Sequence, residues 1–169
     1  MTSYTIRLPQ HQARLVALAI DYHLARPGSE IDRDTMEEYR HGLGEVLPVI
    51  QSQVDDVSAT FDLSPLQATL LSTAFSSVMS ELKMYSIFDT MSGESARPRS
   101  TAPGFDDHLR TLFPEVSDDP SYAMGLAEDL AMLRRELPFA RAKQALEEES
   151  VALEEAKRAR RKPWQFWKR

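Results

Sequence analysis

Tyr4, Ile6 and Leu8 alternate with polar Thr5 and Arg7, a period of two that predicts a short half-buried strand over 4–8. Pro9 then lets a helix open. Over residues 10–25 the period changes: Leu15, Leu18, Ala19 and Tyr22 recur on one helical face, and Val16, Ile20 and Leu24 widen it. A helix apolar over so much of its circumference is expected to be buried on most sides. Arg26-Pro27-Gly28-Ser29 stops it, because Pro27 disfavours helical geometry at Arg26 and Gly28 tolerates positive φ.

Thr35 and Glu38 have capping-box spacing, and Met36, Tyr39, Leu43, Leu47, Ile50, Val54 and Val57 then recur every three or four residues. They predict a second helix over 35–57, with a kink or break near Leu47 where Pro48 follows Gly42 and Gly44. The beginning of the chain then returns at an offset of 55. Thr5, Leu8, Gln12, Ala13, Leu15 and Ala19 fall over the identical residues Thr60, Leu63, Gln67, Ala68, Leu70 and Ala74. Each copy, 4–25 and 59–88, reads as strand, proline, buried helix, and the two strands are expected to satisfy each other's backbone groups in a small ladder. The second copy has the stronger helix start: Ser64 as N-cap, Pro65 in the first helical position and Gln67 placed to reciprocate. Leu66, Leu70, Leu71, Ala74, Val78, Leu82, Tyr85 and Phe88 then make one apolar stripe, so the helix over 65–88 is expected at the centre of the core.

Residues 90–104 have no period and are rich in Ser, Thr, Gly and Pro, which reads as an exposed loop. Two helical turns follow over 105–113, with Phe105, Leu109 and Leu112 inward. Asp119 and Pro120 open a further helix whose buried face is Tyr122, Leu126, Leu130, Leu133 and Leu137. After Phe139 the composition shifts to Ala, Glu, Lys and Arg, and the stretch to residue 162 reads as a largely exposed helix. The expected fold is therefore mainly α. A core domain over 1–137 holds about five helices and a small two-stranded β element, followed by a long exposed charged helix over 138–162 and a tail over 163–169.

Charge sharpens this division. Residues 157–169 carry seven of the twenty Lys and Arg, no acidic residue and both tryptophans, so a body of formal charge −13 ends in a segment of +7. Such a split suggests that the two parts meet different partners. There is no cysteine, which rules out disulfides and thiolate-bound zinc or iron–sulfur centres. No run of eighteen apolar residues occurs and the N-terminus lacks a charged segment followed by an apolar one, so neither a membrane span nor a signal peptide is expected. A cytoplasmic protein fits these features best.

The binding element that emerges is Lys157, Arg158, Arg160, Arg161, Lys162, Trp164, Phe166, Trp167, Lys168 and Arg169. Pro163 ends the helix and leaves three aromatic rings among cationic side chains. An anionic membrane surface suits this composition, because Trp and Phe favour the headgroup region and each Lys or Arg contributes on the order of 1 kcal/mol. An acidic groove on a partner protein would take the same anchors. Single-stranded nucleic acid is the alternative, with base stacking worth roughly 1 to 3 kcal/mol per ring. The tail folding back on the acidic body is the structural counterpart of all three. Unpaired strand edges and the exposed helix permit a homodimer without requiring one.

Candidates for chemistry are weaker. Glu38 and His41 have the i,i+3 spacing that di-iron bundles use twice, and here it occurs once, so no metal is expected. Asp21 with His23, and Asp106 and Asp107 with His108, set acid beside imidazole with no nucleophile or phosphate-binding glycine loop nearby. No catalytic residue and no cofactor is expected. The sequence points to a non-enzymatic adaptor, peripheral to the inner face of a membrane.

Overall fold

The computed structural model describes residues 3–26, 42–92, 100 and 102–161, with backbone alone at 89–92 and 159–161. The elements run β1 (Tyr4–Pro9), α1 (Gln10–Ala25), α2 (Leu43–Gln51), β2 (Ser58–Leu63), α3 (Pro65–Ser92), α4 (Phe105–Leu112), α5 (Glu115–Asp118), α6 (Tyr122–Glu136) and α7 (Phe139–Arg161). The fold is mainly α, with seven helices and one two-stranded antiparallel sheet among the described residues.

Both strands form because alternate residues turn to the core. Ile6 and Leu8 of β1 and Ala59, Phe61 and Leu63 of β2 are buried, while Thr5, Arg7, Thr60 and Asp62 face outward. The register sets Tyr4 opposite Leu63, Ile6 opposite Phe61 and Leu8 opposite Ala59. Ile6 and Phe61 are also equivalent in the 55-residue repeat, so the ladder is centred on the pair that the repeat superimposes. The Gln10 N–H donates to the Val57 carbonyl at 3.1 Å and extends the pairing one step beyond Pro9.

Helix α3 is the centre of the core, in contact with α1, α6 and α7. Its start is the reciprocal cap that the sequence specifies: the Gln67 N–H donates to Ser64 Oγ at 3.2 Å, and the Ser64 N–H donates to Gln67 Oε1 at 2.9 Å. Ala68, Leu71, Ala74, Phe75, Val78, Leu82 and Tyr85 are all buried. The buried arc is wider than the stripe read from the sequence, because helices cover α3 on more than one side. Between α1 and α3, Tyr22 donates to Glu81 at 3.2 Å and Arg26 to Ser77 at 3.0 Å. The Tyr22 ring meets Phe105 of α4 edge-on at 5.2 Å.

Three expectations change, and one short helix is added. Of the helix expected over 35–57, residues 35–41 lie outside the described residues and the rest is helical only to Gln51. The chain passes through Pro48 without ending the helix, then turns over Ser52–Asp55, and Val57 is 89% exposed. Asp55 and Asp56 would add two carboxylates to the negative end of the helix dipole, and the chain must reverse there for β2 to meet β1. The turn is held instead by α1: Arg14 reaches Asp55 at 3.0 Å and Gln10 Nε2 donates to the Asp55 carbonyl at 3.1 Å.

The helix expected to open at Pro120 begins at Tyr122, because Asp119 caps the preceding turn through the N–H of Ser121 at 2.9 Å. A short helix, α5, stands before it that periodicity over four residues does not reveal. The loop expected over 90–104 is helical to Ser92, its residues 93–99 and 101 lie outside the described ones, and Ala102 is buried. Gly104 then turns the chain into α4 at φ +78°, a conformation that side chains with a Cβ rarely adopt.

Candidate functional site

Helix α7 has two halves of different character. Phe139 and Ala142 are buried and Ala145 and Leu146 half-buried, so the helix begins inside the body rather than at its edge. The Phe139 ring packs edge-on against Phe75 at 5.6 Å with an interplanar angle of 87°, the geometry that aromatic quadrupoles favour. The core thus reaches past the boundary at 137 that composition suggested. From Glu147 to Arg158 every residue is exposed, including Val151 and Leu153, each 57% exposed.

That outer half is supported along its own length. Lys143 lies 3.9 Å from Glu147, Gln144 donates to Glu148 at 2.9 Å, and Lys157 lies 3.4 Å from Glu154. Such exposed pairs are worth a few tenths of a kcal/mol each. The basic residues at its C-terminus also suit the negative end of the helix dipole, although its first turn carries no acidic residue. The 23 residues of α7 span roughly 34 Å at about 1.5 Å per residue.

Of the ten residues of the expected binding element, Lys157 and Arg158 are exposed at the far end of α7. Arg160 and Arg161 belong to the helix by their backbone. Lys162, Trp164, Phe166, Trp167, Lys168 and Arg169 lie outside the described residues.

The acid–imidazole neighbours in the sequence are rearranged by the fold. Asp21 of α1 faces His108 of α4, with Oδ2 3.9 Å from Nδ1, so one residue comes from each of the two segments that sequence reading had treated separately. The Gln51 side chain lies beside Asp21 in the same pocket. Burial pushes its carboxyl above the usual carboxylate range, against the opposing pull of His108 and Gln51. Ala17, Gln51, Val54, Thr111 and Leu112 complete a pocket of about 170 Å³ around the pair. Among the described residues Thr111 is the only hydroxyl in its lining, and it donates to the Asp107 carbonyl at 2.7 Å. Among the described residues the pair has no primed nucleophile beside it. No local signal could have joined Asp21 to His108, because the α1–α4 contact that joins them is tertiary.

His11, to which no partner could be assigned from sequence, meets Asp129 at 2.8 Å and the edge of Phe113. Both side chains are nearly half exposed, and the contact ties α1 to α6. Glu38 and His41 lie outside the described residues, and among the described residues no group of three or more His, Asp or Glu is placed to hold a metal ion. Among the same residues no helix is long and apolar enough to cross a membrane.

The class of protein defined by these features is a mainly helical domain, organised around one long central helix and a two-stranded ladder, with a charged helix leading out of it. No protein-family model, no curated protein and no solved structure matches the chain.

Proposed function

We propose that the chain is a non-enzymatic adaptor that attaches to an anionic membrane surface through its basic, aromatic C-terminus. The observation that supports this reading best is the asymmetry of α7: anchored by Phe139 and Ala142, exposed from Glu147 onward, and ending in exposed Lys157 and Arg158. The exposed part of α7, about 15 residues and roughly 22 Å at about 1.5 Å per residue, is more than twice the Debye length of about 8 Å at physiological salt, so it carries the +7 segment beyond most of the field of the folded core. Trp164, Phe166 and Trp167 would enter the headgroup layer while the Lys and Arg side chains meet anionic lipid.

The test compares the full chain with residues 1–156 in cosedimentation with anionic and with neutral vesicles. Only the full chain should sediment, only with anionic vesicles, and both should retain the same helical circular dichroism. Trp164 and Trp167 are the only tryptophans, so emission of the full chain should shift blue as the tail enters lipid. Equal sedimentation of the truncated chain would remove the reading. Emission unmoved by vesicles but quenched by single-stranded DNA, with affinity lost as salt rises, would replace it by the nucleic-acid alternative.

A further inference from the structure

The two outer edges of the sheet are treated differently. Because the Gln10 N–H bonds the residue directly opposite, Val57, the pairs two, four and six residues further along are the ones that exchange backbone hydrogen bonds: Leu8 with Ala59, Ile6 with Phe61 and Tyr4 with Leu63. Thr5, Arg7, Thr60 and Asp62 therefore turn their N–H and C=O groups outward. Pro9, which has no N–H to offer, falls in the same outward phase. On the β2 side the edge is plugged. The Gln53 carboxamide accepts from the Thr60 N–H at 2.9 Å and donates to the Thr60 carbonyl at 3.1 Å, so one side chain takes the place of a neighbouring strand.

On the β1 side, no group among the described residues bonds the outward backbone of Thr5 or Arg7. A groove of about 420 Å³ runs alongside, between Tyr4–Leu8 and the corner formed by Leu133, Glu136, Leu137 and Pro138. An open edge beside a groove accepts another strand.

We propose that this strand is β1 of a second copy, paired antiparallel about a two-fold axis at Ile6 to give a four-stranded sheet in the order β2, β1, β1, β2. The edge is self-complementary in that register. Thr5 stands opposite Arg7 of the second copy, and the reverse, so the outward N–H and C=O groups of these two residues form four hydrogen bonds between the copies, with the Pro9 carbonyl lying beyond them. Charge favours the same arrangement. On the exposed face Asp62 sits beside Thr5 and accepts its hydroxyl proton, whereas Arg7 has no ion pair among the described residues. Pairing centred on Ile6 places Arg7 of the second copy on the other side of Thr5. Each of two symmetric rows then reads Asp62, Thr5, Arg7, Thr60, with a carboxylate and a guanidinium from different copies roughly 9.5 Å apart at the backbone, two strand spacings, a gap that the long Arg side chain spans in large part.

Edge pairing and membrane attachment are separate properties, and the test reads only the first. Sedimentation equilibrium of the full chain should give twice the 19.2 kDa chain mass. Arg7→Pro deletes an N–H that the β1–β2 ladder does not use, so it should give a monomer with unchanged circular dichroism. Arg7→Asp should weaken dimerisation roughly tenfold by setting like charges in each row, and Arg7→Asp combined with Asp62→Arg should restore it. A wild-type monomer would overturn the proposal, as would a dimer that survives Arg7→Pro or a charge swap that restores nothing.

Discussion

The Gln53 side chain occupies the position of a third strand beside Thr60, making both of the backbone hydrogen bonds that Thr60 turns away from β1. It also donates to the Val49 carbonyl at 2.9 Å, which ties the edge to the end of α2. A residue in the turn between helix and strand thereby settles how the sheet ends.

Gln53→Ala should lower stability by about 1 kcal/mol, since water replaces part of what is lost at this half-exposed position. The urea midpoint should fall with no change in slope. Because the substitution opens a second strand edge, light scattering on heating should also rise above that of the wild type.

Phe139→Ala should cost about 3 kcal/mol, by loss of a buried ring and of its contact with Phe75. Chemical denaturation checks the magnitude. Limited proteolysis should show new cleavage between residues 139 and 146, where α7 leaves the core. Leu153→Ala, on the exposed half of the same helix, should leave both measurements unchanged.

Asp21 gives a pH dependence of defined sign. Its carboxyl is held above the ordinary aspartate value of 3.8, chiefly by burial, so the folded state binds the proton more tightly than the unfolded one. The contribution to stability is therefore fully present below pH 3.8 and is lost as pH rises through the folded value. Asp21→Asn, which keeps the amide partner Gln51 within reach and carries no charge, should be more stable than the wild type at pH 7. The gain should shrink to nothing below pH 3.8. Thermal midpoints of the two proteins across that range decide it; an equal offset at every pH would mean that charge at this position is irrelevant.

Most of the fold was legible because its signals are local. The alternation at Tyr4–Leu8 gave a strand, the Ser64-Pro65 start with Gln67 gave the opening of α3, and the stripe from Leu71 to Tyr85 gave its place in the core. What sequence missed was decided by distant partners. The end of α2 depends on Arg14 and Gln10 holding Asp55, and the burial of Phe139 depends on Phe75, 64 residues earlier. Within the candidate site, charge and aromatic content marked the C-terminal element, and the fold adds where its helix leaves the core. The pairing of Asp21 with His108 is a product of helix packing that neither segment announces.

The alignment of Ile6 with Phe61 gives the ladder a symmetry of its own. A two-fold axis between identical strands sets every residue opposite the counterpart of its mirror position, and only the central residue opposite its own counterpart. With equivalents 55 residues apart, that central residue is Ile6. A two-fold axis through the Ile6–Phe61 pair thus relates the backbone of β1 to that of β2. Because the ladder is built from backbone groups, substitution of its side chains leaves that two-fold register of six residues in place.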